Sequence, residues 1–160
     1  MKRTKKNGND CIKLRGSIAW ALRNAQSGDL IDSGHGENVV LLVGRRYILN
    51  KLGADSVANL IDRIYLGTST AAETNTHTGL QNSFASQTFN AGSSNSSSAA
   101  TPYIVFAASW ASNETHASSS AINEFGLYAS TGTAVGRKTT ASAINFSSTN
   151  TLSVSYTLSN

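Results

Sequence analysis

The chain reads as mainly β. It is expected to form an antiparallel β-sandwich of jelly-roll or immunoglobulin-like type, with an N-terminal hairpin, one short helix and a basic N-terminal arm. Three observations predict this. The terminal stretch NTLSVSYTLSN alternates without a break, with Leu152, Val154, Tyr156 and Leu158 on one face and Ser153, Ser155, Thr157 and Ser159 on the other. About seven short strand signals are separated by turn residues, the pattern of a sandwich rather than of helices. Charged residues make up only 14% of the 160 residues, so Ser, Thr and Asn must supply the polar surface, and these suit pleated faces and turns.

From the N-terminus, residues 1–12 read as the arm and residues 13–160 as a single sandwich domain, with a hairpin and helix at about 16–53. Ile18, Trp20 and Leu22 alternate with Ala19, Ala21 and Arg23 as a strand. Asn24 to Gly28 read as a turn and Asp29 to Asp32 as a short return strand. Val43 and Tyr47, with Leu49 and Leu52, lie near helical spacing, with Arg45, Arg46, Asn50 and Lys51 facing water. A helix is therefore expected over about 41–52, capped by Gly53. Ala54 to Leu60 would add a turn. Strands are expected over 63–68 and 83–89, separated by a loop without periodicity at 69–82. The Ser-rich segment 91–102 reads as a flexible loop tip. YIVFAASWAS is apolar on both faces and is expected to be covered on both. INEFGLYASTGTAVGRKTT supplies two further strands, at about 122–130 and 133–141.

The net charge of +4 is uneven. Lys2, Arg3, Lys5, Lys6, Lys13 and Arg15 face only Asp10 within residues 1–15, a local +5 that leaves the rest at −1. This arm is expected to dock on an acidic protein surface or to stay solvated. Nucleic acid is the disfavoured partner, because no aromatic residues are interleaved for stacking. One cysteine, Cys11, excludes an intrachain disulfide and a multi-cysteine zinc site. No apolar run approaches the ~18 residues of a membrane span. The basic start lacks a following apolar stretch and is not read as a secretory signal.

Chemistry is sparse. Between Ile64 and Gly136 the only formal charges are Glu73, Glu114 and Glu124. Glu114 and His116 in NETHASSS would share a strand face and so fit a metal, but the cluster reads as a polar loop. His35 and His77 sit in loop-like sequence. There is no nucleophile elbow, phosphate loop or dinucleotide fingerprint. No catalytic, cofactor or metal residue is assigned. Trp20 and Trp110 would suit a sugar platform; core filling is the preferred reading for Trp110. Glu124 lies on a strand where Ile122, Glu124 and Gly126 would share one face and Asn123, Phe125 and Leu127 the other. It is expected to accept backbone N–H bonds or to pair with Arg137 or Lys138. Gly126 would let a neighbouring chain or a bulge come close.

Three stretches in order resemble small virion proteins of tailed bacteriophages: LRGSIAWALRNAQSGDLIDSGHGENVVLLVGRRYILNKL, RIYLGTSTAAETNTHTGL, and INEFGLYAST with the later Gly136–Arg137 step and terminal TLSVSYTL strand. The resemblance implies a non-enzymatic structural protein with a β-sandwich body, folded in the host cytoplasm and resident in the virion. A capsid decoration or cement protein on the major capsid protein lattice, as a homo-oligomer or in many copies, is the preferred role. A tail, fibre or baseplate component with host-glycan contact is the alternative.

Overall fold

The computed structural model describes residues 13–52, 61–89, 95–96, 103–112, 114 and 121–160. Nine strands and one helix follow in chain order: β1 (Arg15–Asn24), β2 (Leu30–Val40), α1 (Leu42–Leu52), β3 (Ile61–Gly67), β4 (Ser83–Thr88), β5 (Asn95–Ser96), β6 (Tyr103–Trp110), β7 (Ala121–Ala129), β8 (Ala134–Asn145) and β9 (Asn150–Ser159). The strands form one antiparallel sheet in the order β4-β3-β7-β8-β2-β1-β9-β6-β5. The sheet curls until its ends meet: the rings of Phe89 and Phe106 lie 5.3 Å apart. The result is a mainly-β, sandwich- or barrel-like body with its core inside the curl.

One half is β2-β1-β9-β6-β5 and the other is β4-β3-β7-β8. Among the described residues, strand pairing between them occurs only where β2 changes partners. It pairs with β1 from Leu30 to Asn38, then with β8 through Val39–Arg137 and Val40–Gly136. Asn38 marks the hand-over. Its buried side chain occupies the space left by Gly16 and Gly136, at both of which a Cβ would overlap it. The return strand of the hairpin is therefore longer than the expected Asp29–Asp32, because β1 offers a partner along its whole length. Gly28 and Gly132 take positive φ (77° and 81°) in the two tight turns, where a side chain would be strained.

The alternation of β9 holds: Leu152, Val154, Tyr156 and Leu158 are all buried. With Ile18, Leu22, Phe106, Trp110, Phe125, Leu127 and Ile144 they form one core drawn from both halves. The Tyr156 hydroxyl donates to the Phe125 carbonyl at 3.4 Å, bridging the halves through the interior. Burial pushes the Tyr156 phenol pKa up, so the bridge stays protonated.

Three elements differ from expectation. β6 is covered on one face only: Phe106, Ala108 and Trp110 point inward, while Tyr103, Ala107 and Ser109 are exposed. The second face carries the small side chains of Val105, Ala107 and Ser109, with no covering element among the described residues. In α1 the buried position is Gly44, with Tyr47 and Ile48 beside it, while Leu49 is 61% exposed. Gly44 lets the helix approach β8 so closely that a Cβ would lie 2.5 Å from the Val135 backbone. Between β7 and β8 an irregularity separates the Ile122–Ile144 pair from the Glu124–Thr139 pair, with Thr140 to Ala143 of β8 standing against Asn123 alone. Ile122 thereby joins Phe125 and Leu127 in the core instead of sharing a face with Glu124. The expected Gly53 cap, the 54–60 turn and most of 91–102 lie outside the described residues. Asn95–Ser96 within the last of these form β5 against β6.

Candidate functional site

The segment 68–82, between β3 and β4, lies over the outer face of β7 and β8. Its anchor is Glu124. Both Glu124 and Arg137 have fully buried side chains, and Arg137 Nη2 lies 2.8 Å from Glu124 Oε2. Arg137 Nε donates to the same oxygen at 2.8 Å. The backbone N–H groups of Gln81 and Asn82 donate to Oε2 and Oε1 at 3.2 and 2.8 Å. Both carboxylate oxygens are thus engaged by fixed donors, an arrangement that suits holding a loop.

Arg137 spends its remaining donors on the same segment. Nη2 donates to the Ala71 carbonyl at 2.9 Å, and Nη1 to the Ala72 carbonyl at 3.4 Å. Nη1 also lies 3.0 Å from His77 Nδ1. A guanidinium has no acceptor, so His77 Nδ1 must be the unprotonated nitrogen of the ring. The fork therefore reads three groups of one loop while neutralising Glu124, a task a lysine lacks the geometry for.

Two further ties flank this pair. Glu73 accepts from Lys138 Nζ at 2.9 Å and from the Thr139 hydroxyl. Burial alone would raise the Glu73 pKa, but the bonds from Thr139 and Lys138 outweigh it and hold the carboxyl at about 2. The Leu80 N–H donates to the Tyr128 hydroxyl at 2.7 Å. Burial pushes the Tyr128 phenol upward against that bond. Gly126 gives the loop its seat: a Cβ there would lie 2.6 Å from Tyr128 Cε2 and 3.0 Å from Leu80 Cγ. Instead of a neighbouring chain or a bulge, Gly126 admits the Tyr128 ring and Leu80 of the chain's own loop. At Gly67 a Cβ would lie 2.5 Å from Glu124 Oε1.

The structure thus brings Glu124, Gly126 and Arg137 together, and Lys138 binds Glu73 rather than Glu124. Sequence reasoning missed Glu73, His77, Tyr128 and Thr139. The available signal was that Glu73, Glu124, Arg137 and Lys138 are concentrated in a charge-poor half of the chain.

Of the expected docking residues, Lys2, Arg3, Lys5 and Lys6 lie outside the described residues. Lys13 and Arg15 are exposed, and Arg15 opens β1 opposite Ser159 of β9. Glu114 accepts from the Ala111 N–H at 3.3 Å in a local turn, and His116 lies outside the described residues. Trp110 is core. Trp20 is half-buried and lines a cleft of about 340 Å³ between β2 and β8. Among the described residues, no group of three or more His, Cys, Asp or Glu is placed to hold a metal ion, and no helix is long and apolar enough to cross a membrane.

Comparison of the chain with protein-family models, with curated proteins and with solved structures finds no match.

Proposed function

We propose that the protein is a non-enzymatic structural component of a tailed-bacteriophage virion, with decoration of the major capsid protein lattice as its role. The observation that supports this reading is the outer face of β2-β1-β9-β6. There the register sets Glu37, Ser17, Thr157 and Val105 in one row, His35, Ala19, Ser155 and Ala107 in the next, and Ser33, Ala21, Ser153 and Ser109 in a third. Within these rows only Glu37 carries a formal charge, and Arg15 and Arg23 of β1 stand at the two ends of the same face. The small side chains between them leave few charges to desolvate, which suits repeated burial against neighbours.

The basic residues Lys2, Arg3, Lys5, Lys6, Lys13 and Arg15 would anchor each copy electrostatically, and many weak anchors on one lattice add up by avidity. The test is the copy number per purified particle, together with decoration by a variant lacking residues 2–10. Hundreds of copies and reduced occupancy by the variant support the reading; a handful of copies, or unchanged occupancy, overturns it.

A second reading, a tail, fibre or baseplate component with host-glycan contact, draws on Trp20. Its indole stands half-buried in the β2–β8 cleft beside Asp32, Lys138 and Thr140. Binding of the isolated protein on a glycan array, lost in Trp20→Ala, would favour it.

A further inference from the structure

Below the hand-over at Val39 and Val40, β2 and β8 part. Leu30 to Glu37 pair with β1 on one side only, and of the β8 stretch Lys138 to Asn145 only Lys138, Thr139, Ile144 and Asn145 pair with β7, among the described residues. Two strand edges with unspent backbone N–H and C=O groups therefore face each other across the cleft. The free edge of β2 is eight residues long, about 27 Å at strand rise. Gly34 and Gly36 stand opposite Trp20 and Ile18, so β2 puts no side chain over the apolar floor of Ile18, Trp20 and Phe125. Lys138 closes one end: its Cε lies 3.3 Å from where a Gly36 Cβ would be. An unprotected edge over an apolar floor is a template for another strand.

We propose that this slot receives residues 1–12 of a second copy of the chain, added as a strand along the free edge of β2. Charge favours that occupant. No Lys or Arg occurs between Arg23 and Arg45, while Asp29, Asp32 and Glu37 lie in or beside β2, all three exposed. The segment offers Lys2, Arg3, Lys5 and Lys6 against Asp10. Lys138 on the opposite wall does not cancel the match, because Glu73 neutralises it. Length favours it as well: twelve residues extend to about 40 Å, more than the edge requires. Main-chain bonding needs no apolar alternation in the added strand, and this segment has none. A second copy is the donor because β1 begins beside Asn38, at the closed end of the slot. A chain filling its own slot would have to double back, whereas a neighbour's segment enters directly. The inference does not depend on the virion reading, since purified protein tests it.

The test uses Cys11, the chain's sole cysteine. Ser33→Cys places a second thiol on the exposed β2 edge, and Ser130→Cys places one on the exposed β7–β8 turn, beyond the closed end of the slot. Under mild oxidation the Ser33→Cys protein is expected to form disulfide-linked dimers and longer ladders, and the Ser130→Cys protein is not. Adding Asp32→Lys and Glu37→Lys should cut the ladder about tenfold at low salt. Closure within single chains only, equal ladders from both variants, or ladders indifferent to the charge reversals would each overturn the proposal. Sedimentation of the unmodified chain gives a second readout that needs no new cysteine. Concentration-dependent association abolished by deleting residues 2–12 is expected; identical sedimentation of the two forms overturns the proposal.

Discussion

Arg137 and Glu124 meet where neither side chain reaches solvent, and the guanidinium bonds both the carboxylate and the loop that covers it. A pair in this setting is costly to break from one side. Arg137→Met leaves a buried carboxylate facing only two backbone N–H groups, and is expected to lose about 3–5 kcal/mol of stability. Glu124→Gln keeps one acceptor oxygen but sets an amide NH₂ among donors, and should lose a comparable amount. The double variant should lose less than the sum, because no charge is then left unpaired. Urea melts of the four proteins check this; additive losses would mean that the two residues act separately.

Tyr128→Phe removes the acceptor for the Leu80 N–H without opening a cavity. The expected loss is about 1–3 kcal/mol, the cost of an orphaned part-buried donor. It should appear locally first. Hydrogen exchange at Leu80 and Asn82 should quicken while the amides of β9 keep their protection. Unchanged exchange at Leu80 would show that the bond does not hold the loop.

Gly44→Ala and Gly67→Ala should both destabilise, for different reasons. At Gly44 the added methyl meets the Val135 backbone at 2.5 Å, so α1 must shift away from β8. At Gly67 it meets Glu124 Oε1 at 2.5 Å and the Asn82 carbonyl at 2.7 Å, so it strikes the loop anchor. Each should cost about 1–3 kcal/mol, the usual penalty of overpacking. In thermal melts Gly67→Ala should become nearly silent in an Arg137→Met background, whereas Gly44→Ala should keep its full effect.

Acid should loosen the loop through Glu73. Its folded pKa, about 2, lies below the ordinary carboxylate value of 4.5. A depressed folded pKa contributes stability that is fully present above the unfolded value. That stability fades as the pH falls from about 4.5 toward 2. Glu73→Gln should therefore narrow its stability deficit relative to the unaltered protein across that window, while the gap stays constant above pH 6. A deficit that does not change with pH would assign the Glu73 contribution to packing.

Much of the fold is legible in the sequence because it follows from side-chain alternation. β9, β4, α1 and the inward face of β6 all announce themselves by period. The loop over 68–82 does not, because its ties use groups every residue has: the carbonyls of Ala71 and Ala72, and the N–H groups of Gln81 and Asn82. The irregularity that turns Ile122 inward is equally silent, since it depends on where β8 pairs rather than on β7 itself. Leu49 misleads for a related reason. Helical spacing identifies a stripe, but here the close approach belongs to Gly44, which no hydrophobic pattern would choose.

The loop anchor also bears on time. Its bonds join residues far apart in the chain, such as Ala71 with Arg137 and Asn82 with Glu124, and they require β7 and β8 to be paired beforehand. Interactions that complete only after the sheet has assembled are absent from the folding transition state. They act on how fast the native protein comes apart rather than on how fast it forms. Chevron plots should accordingly show Arg137→Met steepening the loss through the unfolding limb, with the refolding limb close to that of the unaltered chain. A shifted refolding limb would instead make the anchor part of the nucleus.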